Sequence, residues 1–203
     1  MRSLVALFIK LKHAFPGLWI MTENVNSAIF SVLHKKLDQT ISEVLPQHSK
    51  QGFIISKISA EDINELIEFR RRQDNNYLVY FDPHPFDRKT IERLLKHESY
   101  VLMQIRECET NKIVGYFFLR CFFIGKAFHG LITDQKYINM GLGTMMWKIS
   151  MDICNRMGLR MYATVSSHNT PSLKSASNAT KIRVTQQLAN DFLLIECTPQ
   201  KNY

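Results

Sequence analysis

From residue 53 onward the apolar positions recur with two periods in turn, about 2 for strands and about 3.6 for helices. Phe53-Ile54-Ile55-Ser56-Lys57-Ile58 reads as a strand. Ser59 caps the next helix with Asp62 three residues on, and Ile63, Leu66 and Ile67 form its apolar stripe. Asp87 opens a second short helix with Ile91, Leu94 and Leu95 facing inward. Val101, Met103 and Ile105 alternate along another strand, and Glu109-Thr110-Asn111-Lys112 turns the chain. Residues 113–124 are so evenly apolar that the middle of a sheet is their expected place. Gly125-Lys126 turns again, and residues 128–133 return antiparallel. A long helix follows, with Leu142, Met145, Met146, Ile149, Ile153 and Met157 on one face and Gly158 as its left-handed stop. Residues 160–166 form a strand, Asn169-Thr170-Pro171 opens a short helix, and residues 182–184 and 192–197 end the pattern as strands. The order β-α-α-β-β-β-α-β-α-β-β predicts an α/β (α+β) fold: a mixed, mainly antiparallel central sheet flanked by helices.

Residues 1–50 differ, and we read them as an N-terminal helical extension and linker preceding a domain over residues 51–203. Up to Ile20 the chain carries Arg2, Lys10 and Lys12 and no acidic residue, beside Phe8, Leu11, Phe15, Leu18 and Trp19. Asn24 or Asn26 is the expected cap of a helix through Ala28, Ile29, Val32 and Leu33, and residues 46–52 read as the linker. The apolar run Leu4 to Ile9 is short and no small-residue cleavage site follows it, so the segment is expected to be retained. No apolar run reaches the roughly 20 residues of a membrane span. A basic, aromatic stretch of this kind fits reversible contact between residues 1–20 and an anionic membrane surface; packing on the domain or in a homodimer is the rival reading.

The formal charge of +8 favours acidic partners without choosing among them. The run Arg70-Arg71-Arg72 has no companion basic–aromatic module, so it reads as a solvated helix end and no nucleic-acid partner is expected. Cys108, Cys121, Cys154 and Cys197 show no C-x-x-C spacing and no histidine pair supplies a zinc pattern. Buried free thiols, a cytoplasmic location (peripheral at the membrane through residues 1–20) and no metal are the expectation.

Chemistry concentrates where a strand meets the long helix. Tyr137-Ile138-Asn139-Met140-Gly141-Leu142-Gly143-Thr144 places two glycines at a helix start, where unpaired N–H groups and a partial positive charge can cradle phosphate. A tight strand-to-helix turn explains the same glycines equally well. Neither G-x-x-x-x-G-K-[ST] nor G-x-G-x-x-G is present. This junction resembles that of the GNAT acyltransferases, and the resemblance implies proton transfer as the role of His129, His168 and Tyr137, the histidines because their ordinary pKa lies in the useful range. A packed strand residue, a solvated strand end and a core-packing loop aromatic are their respective alternatives.

The loop and the element order resemble the GNAT acyltransferases over about residues 53–197. That family carries [RQ]-x-x-G-x-[GA] before its long helix; Gly141 and Gly143 match, and Ile138 stands at the Arg/Gln position. Its N-x-x-A-x-x-[LF]-Y segment is matched by Asn169 and Ser172, whereas Ala176 stands at the usual tyrosine. The resemblance implies acetyl-CoA or another acyl-CoA as acyl donor and a primary amine of a small molecule as acceptor. It implies that the amides of Met140, Gly141, Leu142, Gly143 and Thr144 hold pyrophosphate. It also places Asn169 in the cofactor site and implies that amides of Leu131, Ile132 and Thr133, on a fourth strand splayed from the fifth, serve the thioester carbonyl. Residues 81–86, with His84, and Phe118-Leu119-Arg120 are loosely similar to acetyltransferases of nucleotide-linked amino sugars in surface polysaccharide synthesis, which would make His84 and Arg120 substrate contacts. A non-catalytic CoA-binding module and a peptide or protein N-acetyltransferase are the alternatives.

Overall fold

The computed structural model describes residues 16–200, with side chains from residue 20. Seven strands form one sheet in the order β1-β2-β3-β4-β5-β7-β6. They are β1 (Phe53–Lys57), β2 (Tyr100–Glu107), β3 (Ile113–Phe122), β4 (Lys126–Thr133), β5 (Arg160–Ser166), β6 (Thr180–Gln187) and β7 (Phe192–Pro199). All neighbours are antiparallel except β4 and β5, which are parallel. The expected mixed, mainly antiparallel sheet is therefore the observed one.

The helices are α1 (Pro16–Leu33), α2 (Leu37–Val44), α3 (Ile63–Arg71), α4 (Asn75–Leu78), α5 (Arg88–Leu95), α6 (Leu142–Arg156) and α7 (Thr170–Ala179). Strand alternation divides the core in two. Met103, Ile105, Phe117, Leu119, Met161 and Ile195 face a cluster with α2, α6 and α7, and Leu102, Tyr116, Phe118 and Ile132 face the other cluster with α3, α4 and α5. Caps set the helix starts. Ser59 and Asp62 satisfy each other's backbone before α3, Asp74 caps α4, Asp87 caps α5 through Thr90, and Asn169 caps α7 through Ser172.

The N-terminal region departs from the expectation. The described helix runs Pro16–Leu33, through both expected cap positions, and Asn26 instead spends its side chain on the Cys121 carbonyl at 2.9 Å and the Phe123 N–H at 3.2 Å. A further helix, α2, places Leu37, Ile41 and Val44 in the main core, where each buried apolar side chain contributes about 1.5–3 kcal/mol. Residues 1–15, which carry most of the proposed surface contact, lie outside the described residues. Among the described residues no helix is long and apolar enough to cross a membrane.

All four cysteines are free; Cys121, Cys154 and Cys197 are buried as expected, whereas Cys108 is exposed in the turn after β2. The three arginines at the end of α3 are engaged within the chain. Arg71 pairs with Glu68 at 2.8 Å, and Arg70 lies over the Phe86 ring. Arg72 bridges Glu65 and Asp134 and donates to the Ile113 carbonyl.

Candidate functional site

The parallel pair β4 and β5 stays in register for only three residues, Lys126 to Phe128 against Arg160 to Tyr162, and then diverges. From His129 to Thr133 the edge of β4 that faces β5 has no strand partner. The opening becomes a cleft of about 700 Å³ with β4 and β5 as walls and α6 and α7 at one side. Tyr77, Tyr80 and Phe81, on α4 and just after it, supply aromatic groups on the other side. Unpaired strand edges are costly unless something pairs with them, so the cleft offers a ligand a ready row of amides and carbonyls.

The start of α6 closes the mouth. Gly141 has φ 79°, a left-handed conformation that favours glycine, and a Cβ there would point into open space. The first helical bond runs from the Met145 N–H to the Gly141 carbonyl at 3.0 Å, which leaves the amides of Leu142, Gly143 and Thr144 without helix partners. Gly143 lies against Ser175 of α7, and Lys174 and the Asn169 side chain border the same cleft. The expected Met140 is exposed, does not border the cleft and directs its N–H to the Tyr137 carbonyl at 3.4 Å. Ile138 borders the mouth with its apolar side chain exposed, so Lys174 is the cation at this end.

All three expected proton-transfer residues border the cleft, the two histidines in very different settings. His129 is the first β4 residue beyond the paired stretch and is buried; its Nδ1 lies 3.3 Å from the Phe118 carbonyl and its ring packs on Trp147 at 4.3 Å. Burial pushes its pKa down to about 3, against a smaller opposing effect of that hydrogen bond, so the ring is neutral near pH 7. The ordinary histidine range expected from the sequence does not apply to it. His168, after β5, is exposed on the rim, with Nε2 3.4 Å from Asp191. Tyr137 borders the cleft, but its ring packs edge-on against Phe53 and its hydroxyl donates to Glu107 at the end of β2. Burial, that hydrogen bond and the Glu107 charge push it up to about 12. Ala176, at the position of the family tyrosine, is buried between α7 and the sheet. Asp134 is held by Arg72, Gln73 and the Lys136 N–H; burial raises its pKa, yet these hydrogen bonds outweigh that and leave it below the usual carboxylate range.

The two expected substrate contacts are elsewhere. His84 donates or accepts at Tyr116 Oη (2.9 Å), stacks on Phe86 and meets Phe118, half-buried at the edge of the second core cluster. Arg120 reaches Glu23 of α1 at 3.0 Å and lies between the Tyr100 and Phe122 rings. Its partner across the sheet is Phe128, at the closed end of the β4–β5 pair.

Two side chains that the periodicity gave no reason to single out complete the floor. A Cβ on Gly130 would lie 2.5 Å from the Phe118 ring, so only glycine allows that ring to pack under the cleft. Trp147, one and a half turns into α6, is buried beside His129. Four buried side-chain polar atoms have no hydrogen-bond partner among the described residues, and two of them, His129 Nε2 and Trp147 Nε1, belong to residues lining this cleft. Each such atom costs about 1–3 kcal/mol while it stays unpaired.

A family model described as "Acetyltransferase (GNAT) family" matches residues 63–176, more than half of the chain. The chain belongs to the GNAT acetyltransferase family. Solved structures share the fold at low identity. The ribosomal-protein-S5-alanine acetyltransferase from Vibrio fischeri superposes with a TM-score of 0.62 at 13% identity, covering 76% of this chain and 97% of its own. The GNAT domain of S. lividans PAT gives 0.60 at 13%, covering 70% and 88%. AAC(6')-Ib, in complex with paromomycin and acetyl-CoA, gives 0.58 at 11%, covering 74% and 94%. No curated protein matches the chain in sequence. The residues that could hold a phosphate-bearing cofactor here are the free amides of residues 142–144 and the unpaired edge of β4. Among the described residues no cluster of His, Cys, Asp and Glu is grouped to hold a metal ion.

Proposed function

We propose that the protein transfers an acyl group from acyl-CoA to a primary amine of a small molecule. The observation that supports this reading most is the divergence of β4 from β5 after three paired residues, aimed at an α6 start whose amides are free. In the reaction the amine nitrogen bonds to the thioester carbonyl carbon, the carbon–sulfur bond breaks, the amine loses a proton and the thiolate takes one up. Backbone N–H groups of Leu131 and Thr133 polarise the carbonyl, because the β3–β4 register turns them to the unpaired edge while that of Ile132 points to β3, and they need no reorganisation. His129, neutral and buried, is too weak a base for the amine proton. His168 on the rim is the group we assign to proton removal, with Asp191 orienting it.

The acceptor enters past Tyr77, Tyr80 and Phe81, an aromatic wall suited to the flat or apolar side of a small amine. Tyr77 also fixes β4 by donating to the Thr133 carbonyl at 2.8 Å. The test is acetyl-CoA consumption against polyamines, nucleotide-linked amino sugars and peptides. His168→Ala is expected to lower turnover with the best amine about 10²–10⁴-fold while leaving CoA affinity unchanged. Full turnover of that variant from pH 6 to 9 would transfer the role to a water chain. CoA binding with no transfer to any amine would make the protein a non-catalytic binding module.

A further inference from the structure

We propose that His129 Nε2 and Trp147 Nε1 form a hydrogen-bonding subsite at the acyl end of the cleft, seating a ligand group that both donates and accepts a hydrogen bond. This rests on the acyl-CoA reading above and goes beyond it. A carbonyl only accepts, so His129 must carry its proton on Nδ1 to bond the Phe118 oxygen at 3.3 Å. Its Nε2 then presents a lone pair. The Trp147 Nε1–H can only donate. Both residues are more than nine-tenths buried, both line the cleft, their rings are 4.3 Å apart, and neither atom has a partner.

Their position defines the ligand end. Phosphate at the start of α6 lies at the mouth, so the opposite end of an extended thioester points to the apex where β4 and β5 converge. His129 sits at that apex, next to the last paired residue, Phe128. A plain acetyl group has a carbonyl for Trp147 and nothing to donate to His129. A hydroxyl or an amide satisfies both atoms at once. A hydroxyl on the acyl chain supplies it at this end; an amide of the pantetheine arm, which lies between the phosphates and the thioester, reaches these atoms only if the thioester carbonyl is not seated at residues 131–133.

Calorimetric titration of the full chain with CoA, acetyl-CoA and 3-hydroxybutyryl-CoA separates them. Trp147→Phe and His129→Phe each remove one partner and keep a ring. If the arm amide is seated, both variants bind all three ligands about tenfold more weakly. If an acyl hydroxyl is seated, the wild type prefers 3-hydroxybutyryl-CoA by about tenfold, and only that preference is lost in the variants. Equal affinities of wild type and folded variants for all three ligands would overturn the subsite. Absence of CoA binding by the wild type would instead overturn the acyl-CoA reading itself. The melting temperature without ligand verifies that each variant is folded.

A different observation carries a second proposal. Helix α1 is docked by a mainly polar side, with Phe30 its one buried apolar anchor among the described side chains: Glu23 meets Arg93 at 2.5 Å and Arg120 at 3.0 Å, Asn26 bonds Cys121 and Phe123, and Ser27 accepts from the Ser99 N–H. Its opposite side is apolar and exposed, with Met21 at 58%, Val25 at 49%, Val32 at 65% and Leu33 at 60%. Burying a carboxylate while four apolar side chains face outward inverts the usual arrangement. We infer that this face lies on an anionic lipid surface. Charge supports that occupant: among residues 1–36 the sole carboxylate, Glu23, is buried against two arginines, whereas Lys35 and Lys36 are exposed beside the apolar face. Flotation with phosphatidylglycerol-containing vesicles tests it. The full chain is expected to float at low salt and to be released at 1 M salt, where screening shortens to roughly 3 Å. Val25→Asp with Val32→Asp should abolish flotation, since both sites are exposed and the fold should persist. Failure of the wild type to float, or a dimer that the double variant disperses, would overturn the lipid assignment.

Discussion

Gly141→Val is expected to lower CoA affinity about 30- to 1,000-fold, corresponding to 2–4 kcal/mol, in a chain that still folds. Two effects combine. A β-branched residue resists the left-handed backbone at φ 79°, at a cost of about 1–2 kcal/mol, so the helix start shifts its free amides. The new side chain also stands in the open space through which a phosphate would approach the amides of residues 142–144. Nothing within 4 Å of the built Cβ collides with it, which is why the fold should persist. Gly143→Ala is the control: its Cβ would touch Ser175 at an ordinary 3.5 Å, and a much smaller loss is expected. Calorimetric titration with CoA, beside the melting temperature, checks both. A folded Gly141→Val protein with wild-type affinity would remove the helix start from the phosphate site.

Acid should unfold the protein partly through His129. The folded pKa is pushed down to about 3 by burial, whereas an unfolded histidine titrates near 6.5. Below pH 6.5 the unfolded chain gains a proton that the folded chain refuses until about pH 3. Stability therefore falls as pH drops through that window and is unaffected by this residue above it. At about 1.4 kcal/mol per unit the full window amounts to about 5 kcal/mol, and the part between pH 6.5 and 4 to about 3 kcal/mol. His84, also lowered by burial, acts in the same direction. His129→Phe removes the largest contribution. Denaturant titrations at pH 7 and pH 4 should show the wild type losing several kcal/mol more than the variant. Parallel losses would mean that His129 is already protonated in the native protein.

Much of the fold could be read from residue order because its signals are local. Strand alternation at Val101-Met103-Ile105, the capping pair Ser59 and Asp62, and the glycine stop at 158 each depend on neighbours a few residues away, and all stand where expected. The glycine-bearing helix start belongs to the same class, since a left-handed glycine before an apolar helix is a local event. Leu37, Ile41 and Val44 carry the spacing of a helix face too, so α2 was legible although it was not among the expected elements. The four residues of α4 were not: a single turn has no period to detect.

What each polar group does was decided by distant parts of the chain. His129 and His168 are the same residue type near the same cleft. Strand β3 and Trp147 bury one and make it neutral, while the other stays on the rim. His84 sits between prolines in a segment that resembles a substrate loop, yet Tyr116, 32 residues away, claims its ring. Tyr137 is drawn to Glu107 and Arg120 to Glu23, contacts that no local pattern encodes. Sequence by itself determined the elements, their order and the glycine-bearing helix start, because backbone propensity and apolar period act over one or two turns. The tertiary structure alone decided which side chains meet in the cleft, which lose their water and which polar atoms are left without partners, because burial and pairing depend on residues brought together from across the sheet.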